Sequence, residues 1–222
     1  MEKTKQLIIF GDSAFAEIAY EYFTHDSEYQ VVAFTISKEF LKKDSLFGIP
    51  ILPFEEIETT FNPSSFEMHI ALVYNSLNRI RIKFYNEAKH KGYKLANYIS
   101  SRSFLWRNVE LGDNCFVFED NTIQPFVKIG SNNVFWSGNH IGHHSIIKDH
   151  VSFTSHVVLS GHCVVEPFSF FGVNSTVRDG IHIAEGSLIG MAAAVTSDTE
   201  PWGVYKGNPA KKGETLSTDL DF

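Results

Sequence analysis

The sequence predicts two unlike halves: a small α/β domain with a parallel sheet over residues 1–98, and a parallel β-helix over residues 99–200, followed by a tail at 201–222. Three observations carry this. The first forty residues read strand, turn, helix, strand. From Leu111 onward an apolar residue recurs every six positions. No apolar run reaches the roughly 18 residues that a membrane-spanning helix needs.

The α/β half follows from local pattern. QLIIF is an apolar strand that stops at Gly11. Ala14 to Phe23 carries Phe15, Ile18, Ala19 and Tyr22 at helical spacing, with Asp12 or Ser13 as the cap. YQVVAFTIS is a second strand, which completes a βαβ unit. LFGIPILPFEEI reads as a strand and loop before a short helix, and FEMHIALVY as a third strand. NRIRIKFYNEAKHKGY is a helix with Ile80, Phe84 and Ala88 on one side, stopped near Gly92. The first turn, Gly11-Asp12-Ser13, keeps only one glycine of the dinucleotide fingerprint, so it is poor evidence for NAD. A strand leading through a tight turn to a helix N-terminus still favours phosphate. A glycine needed only for the turn explains the motif equally well.

The second half is fixed by its period. In steps of six from Leu111 to Val195, passing through Val117, Ile123 and Ile129, all fifteen positions are apolar. Stepping backward adds Leu105 and Ile99. Two residues before many of these sit small or β-branched residues such as Cys115, Val127, Ser145 and Cys163, with Asn121, Asn133 and Asn139 as interruptions. Six fits neither a helix nor a hairpin ladder. It fits short parallel strands, three to a coil, with the apolar residue inward and the small one at the corner. Such a solenoid buries apolar surface only by stacking coils, and fifteen hexapeptides make five.

That register sorts the histidines of NHIGHHSIIKDH. His144, His150, His156 and His162 share one place in successive hexapeptides. Successive hexapeptides lie on different faces, so these four cannot meet on one ion, and only His144 and His162 stack. A metal site needs three convergent imidazoles, which the spacing does not supply within one chain. Ligands from a neighbouring subunit stay open. The expected metal set is empty, and His150, His156 and His162 read as exposed corner residues.

Composition narrows the classes. The net charge of −7 argues against nucleic acid or an anionic membrane as the main partner. Two cysteines, Cys115 and Cys163, make no disulfide framework and no zinc motif; both read as core filler in a reducing, cytoplasmic protein.

Six stretches, IIFGDSAFAEIA, FGIPILPFEEI, IGHHSIIKDH, TSHVVLSGH, FFGVNSTVRDG and GVYKGNPAK, resemble the bacterial sugar O-acyltransferase family. That family includes sialic-acid O-acetyltransferase-like proteins and nucleotide-amino-sugar N-acetyltransferases. The resemblance covers nearly the whole chain. It implies a Rossmann-like nucleotide-sugar domain and a left-handed β-helix, with acetyl-CoA lying between two subunits of a homotrimer. Handedness comes from the family alone, because general rules favour right-handed crossovers. His143 matches the family's general base. The next residue, often a carboxylate that orients the base, is His144 here. Ser152 stands where a family histidine contacts acetyl-CoA, and Gly161, one coil above His143, matches a glycine that admits the thioester. Met191, Ala192, Lys206, Pro209 and Lys211 match the segment near CoA, with Lys212 beside it. Gly11, Asp12, Ser13 and Thr35, Ile36 and Ser37 are the nucleotide-sugar contacts, and Asn139 and His140 the candidate sugar contacts. The implied activity is N-acetylation of a nucleotide-linked 4-amino-4,6-dideoxy sugar for surface polysaccharide. O-acetylation, another acyl donor, or a catalytically inert scaffold are the alternatives.

Overall fold

A computed structural model describes residues 2–73 and 77–220. Two compact units emerge: residues up to 73 with 80–98, and the repeat region from 99 onward together with the short segment at 77–79.

The first unit is a six-stranded sheet flanked by helices. Its elements are β1 (Lys5–Phe10), α1 (Ala14–His25), β2 (Tyr29–Ile36), β3 (Ser45–Leu46), β4 (Ile49–Pro53), α2 (Ile57–Thr60), β5 (Glu67–Ile70), α3 (Arg79–His90) and β6 (Lys94–Leu95). The order is β3-β4-β2-β1-β5-β6, parallel except for the β3–β4 hairpin. β1 lies centrally, buried on both faces, which is why LIIF is an unbroken apolar run. Ser13 caps α1 by position, with no side-chain bond. On α3 the expected core face needs a correction. Ile80 is 47% exposed, whereas Arg81 is fully buried beside Phe84, Tyr85 and Ala88. The reason is polar: Arg81 Nη1 donates to the carbonyls of Ile70 and Leu72, at 2.5 Å each, where β5 ends.

The second unit is the β-helix. Two-residue strands pair in parallel with the strand eighteen residues on, as in Thr122–Ile123 with His140–Ile141 and Val158–Leu159. Three such ladders form the three faces. From Val117 through Val195 every sixth residue is at most 4% exposed. Leu105 and Leu111 are half-buried, and Ile99, before the stack is complete, is 40% exposed. Phe135, Phe153 and Phe171 stack up one face at 4.9 and 4.4 Å, nearly parallel. Asn121, Asn133 and Asn139 are buried, not exposed breaks in the pattern. Asn133 shows why they fit: its amide donates to Gly130 and Lys148 carbonyls and accepts Val151 N–H, satisfying corner backbone that would otherwise be buried without partners. The tail ends the core. Its strand Gly203–Lys206 adds to one face, placing Tyr205 opposite Ile189. No described helix is long and apolar enough to cross a membrane.

Between the strands, the backbone turns through a left-handed residue every six positions, from Asn114 (φ 54°) to Ala192 (φ 55°). Of these fourteen, eleven are Asn, Asp, His or Gly, the types that tolerate this conformation best. His144, His150, His156 and His162 are four of them, so their periodic spacing has a backbone cause.

Two outcomes follow. Phe153→Ala should cost about 3–5 kcal/mol, because it empties the middle of a closed column; chemical denaturation measures it. His69, fully buried on β5, has its pKa pushed down to about 3 by burial and by the nearby Arg81 charge. The unfolded chain binds its proton below about pH 6.5 while the folded one does not. Stability present above that pH should therefore fall by up to about 1.4 kcal/mol per pH unit towards pH 3. Hydrogen exchange of β5 amides reads this, and His69→Gln should flatten the slope.

Candidate active site

One corner of the β-helix gathers exposed aromatic side chains. Phe126, His144 and His162 occupy its left-handed positions on successive coils and stack at 4.7 and 5.0 Å. The spacing of eighteen thus brings His144 and His162 together as expected. His143 joins them: its ring stands edge-on, 5.2 Å from His144 and 5.0 Å from His162, at 87° and 86°.

His143 is held from several sides. Gln124 Oε1 accepts its backbone N–H at 2.9 Å, and its carbonyl accepts His162 N–H at 2.9 Å. Its Nδ1 lies 3.1 Å from Nδ1 of His144. One proton can bridge that pair. If His143 donates it, Nε2 keeps a free lone pair, so His144 sets the tautomer as a neutral acceptor. The ring rests against Gly161: a Cβ there would come 2.9 Å from His143 Cε1 and 3.1 Å from Nε2. Gly142 is also obligatory, since a Cβ would meet Gly161 N at 2.5 Å.

Gly161 carries a second feature. At this place in the repeat the N–H lies outside the coil-to-coil ladder, and side chains accept it at Asp113, Ser131 and His143. Among the described residues none accepts the N–H of Gly161, as is also so for Ser137, Ser155 and Met191 at the same place in the repeat; what sets Gly161 apart is the His143 ring against it. A half-buried, unclaimed donor therefore sits beside an exposed imidazole.

The same corner corrects the expectation that no three imidazoles of one chain converge. One ring nitrogen each from His143, His144 and His162 lies within 4.8 Å of the other two. The expectation compared only equivalent repeat positions; His143 stands one place earlier, and its ring turns into the corner. His150 and His156 do lie at the other corners, with His150 bound to Asn132 at 3.1 Å.

Other expected site residues are scattered. Asn139 is 1% exposed and spends its amide on Trp136 and Val157 backbone, so it is a corner brace and not a sugar contact. His140 faces outward, half-buried, between Thr122 and Val158. Ser152 is 1% exposed and accepts Asn78 Nδ2 at 2.8 Å, which takes it away from the surface. Among the described residues Met191 is the most exposed large apolar one, beside left-handed Ala192. Lys206 and Lys211 face each other across the tail hairpin, near exposed Pro209, whereas Lys212 is paired with Glu200. Cys115 and Cys163 are buried free thiols, and burial pushes the Cys163 thiol up.

In the α/β unit a cavity of about 200 Å³ opens where β1 and β2 end, lined by Gly11, Asp12, Ser13, Ile36 and Ser37. Gly11 is required there: its φ is +128° and a Cβ would press on Ala71 O at 2.9 Å. Thr35 does not line it; its hydroxyl binds Leu52 O, tying β4 to β2. Phe10, Phe40, Leu72, Ile80 and Phe84 make the remaining wall apolar. The sequence reading missed that wall, because Ile80 has core spacing and its exposure shows only in the structure. Gln124 and Phe126 were also missed, although Phe126 stands eighteen residues before His144.

No family model matches the chain. Over 106 residues it is 28% identical to an acyl-[acyl-carrier-protein]–UDP-N-acetylglucosamine O-acyltransferase of Sinorhizobium fredii, covering 45% of this chain and 39% of that protein. A namesake from Aliarcobacter butzleri is 33% identical over 116 residues, 48% and 45% of the two chains. The chain thus spans less than half the length of these curated relatives. Among solved structures, the acetyltransferase domain of PglB from Neisseria gonorrhoeae has a TM-score of 0.83 at 19% identity, covering 94% of this chain and all of that one. A perosamine N-acetyltransferase variant from Caulobacter crescentus, in complex with CoA and GDP-perosamine, has 0.83 at 20% identity, covering 95% and 97%. Likeness at these identities establishes the fold: an α/β region followed by a left-handed parallel β-helix, as expected.

Gly161→Ala should leave the protein folded but displace the His143 ring, because the added methyl occupies its resting place. The ring resonances of His143 in NMR spectra should shift while those of His156 stay fixed.

Proposed function

We propose that the chain is an acyl-CoA-dependent N-acetyltransferase, acting on the 4-amino group of a nucleotide-linked 4-amino-4,6-dideoxy sugar. One observation carries the reading: the exposed His143 imidazole rests on Gly161, whose N–H has no acceptor among the described residues. Acyl transfer to an amine needs these two groups. The nitrogen must lose a proton as it attacks, and the acyl oxygen must be stabilised as it gains charge. His143 Nε2 takes the proton, with Nδ1–H directed to His144. The N–H of Gly161 donates to the oxygen. As the tetrahedral centre collapses, the thiolate of CoA leaves and takes up the proton held on His143 Nε2, which restores the neutral imidazole. No covalent enzyme intermediate is needed.

The acceptor assignment rests on the apolar-walled cavity at the Gly11 turn and on the fold shared with the perosamine N-acetyltransferase. In this reading Gly11, Asp12, Ser13, Ile36 and Ser37 hold the nucleotide sugar. Met191, Ala192, Lys206, Pro209 and Lys211 meet CoA, and the working form is a cytoplasmic homotrimer serving surface-polysaccharide synthesis. A second reading, O-acylation of a sugar hydroxyl, is favoured by the names of the curated relatives. It uses the same base.

Thiol release from acetyl-CoA, measured with UDP-, dTDP- and GDP-linked 4-amino and 4-hydroxy sugars, tests both. Turnover on one amino sugar, with His143→Ala lowering kcat by about 10²–10⁴, is the expected result. Turnover only on hydroxy sugars moves the assignment to O-acylation. Unchanged turnover in His143→Ala overturns the mechanism.

A further inference from the structure

We propose that His143, His144 and His162 bind one divalent transition-metal ion, and that an ion held there blocks acyl transfer. The second half rests on the proposed role of His143. The first half rests on geometry alone.

One nitrogen from each ring lies within 4.8 Å of the others. The His143 and His144 pair, at 3.1 Å, already stands near the roughly 3.3 Å that two nitrogens adopt on a tetrahedral ion with bonds of about 2.0–2.1 Å. The bond from His162 N–H to His143 O fastens the two coils together, so the three side chains share a fixed base. All three rings are exposed. They can turn about their side-chain torsions without opening the core. His144 and His162, stacked at 15°, must splay for both lone pairs to reach one point; Phe126 backs His144, so the exposed His162 ring makes the larger move. The donor set has no carboxylate and no thiolate. Three imidazoles favour zinc, copper, nickel or cobalt over magnesium or calcium. The fourth position is left for water. An ion bound at Nδ1 of His143 displaces the proton from that nitrogen, so the neutral ring carries it on Nε2 and has no lone pair left there to take the proton of the acceptor.

The test is calorimetric titration of Zn²⁺ into the full chain, treated with chelator and carrying no histidine tag. One ion per chain is expected. His162→Ala should weaken binding by at least about tenfold, while His156→Ala, at another corner, should change it by less than about twofold. No saturable binding, or equal weakening by both variants, overturns the site. Thiol release should fall with added Zn²⁺ and return with EDTA. His162→Ala, relative to its own metal-free rate, should need at least about tenfold more zinc. Binding without inhibition overturns the blocking role. If no acceptor supports thiol release, the proposed function fails, and calorimetry still decides the ion site.

Discussion

Everything in the repeat half depends on turning the chain through a left-handed backbone once every six residues. Ordinary L-residues resist that conformation by roughly 1–2 kcal/mol each. The chain meets the requirement mostly with Asn, Asp, His and Gly. Once the corners are fixed, the strands between them can be only two residues long, the sixth residue must face inward, and the eighteenth must return directly above the first. The closed columns of Phe135, Phe153 and Phe171 inside, and of Phe126, His144 and His162 outside, are two results of one rule.

The same rule explains how much could be read in advance. Periodicity is a property of the chain alone, so the β-helix register and the stacking of His144 on His162 were legible. The third imidazole was not. Its place depends on where a side chain turns within a corner, and Gly161 decides that by leaving room for the ring. Asn139 misled for a related reason. Its type suits a sugar contact, but inside a coil its amide is consumed by backbone groups. In the α/β half, spacing placed α3 correctly yet assigned Ile80 to the core, because the pattern could not show that Arg81 was needed at the end of β5.

In the proposed mechanism the corner orients the base without a charge beside it. A carboxylate next to His143 would fix the tautomer and attract a proton to the ring. An imidazole at 3.1 Å can fix the tautomer with no formal charge. Glycine takes the complementary part. Gly142 lets two coils approach, and Gly161 supplies both a resting surface for the ring and a donor beside it.

The pairing of each strand with the one eighteen residues away makes the coil a ruler for tolerated length changes. Adding or removing a whole coil between distant parts of the β-helix keeps every residue on its own face. An insertion of one hexapeptide between His144 and His162 keeps the buried pattern intact, yet carries His162 a third of a turn around the prism to another corner. The six-residue burial pattern would survive such an insertion, but the phenylalanine column and the histidine corner would both be taken apart. Chain length between these two positions is therefore constrained by the site and by the stacked core together.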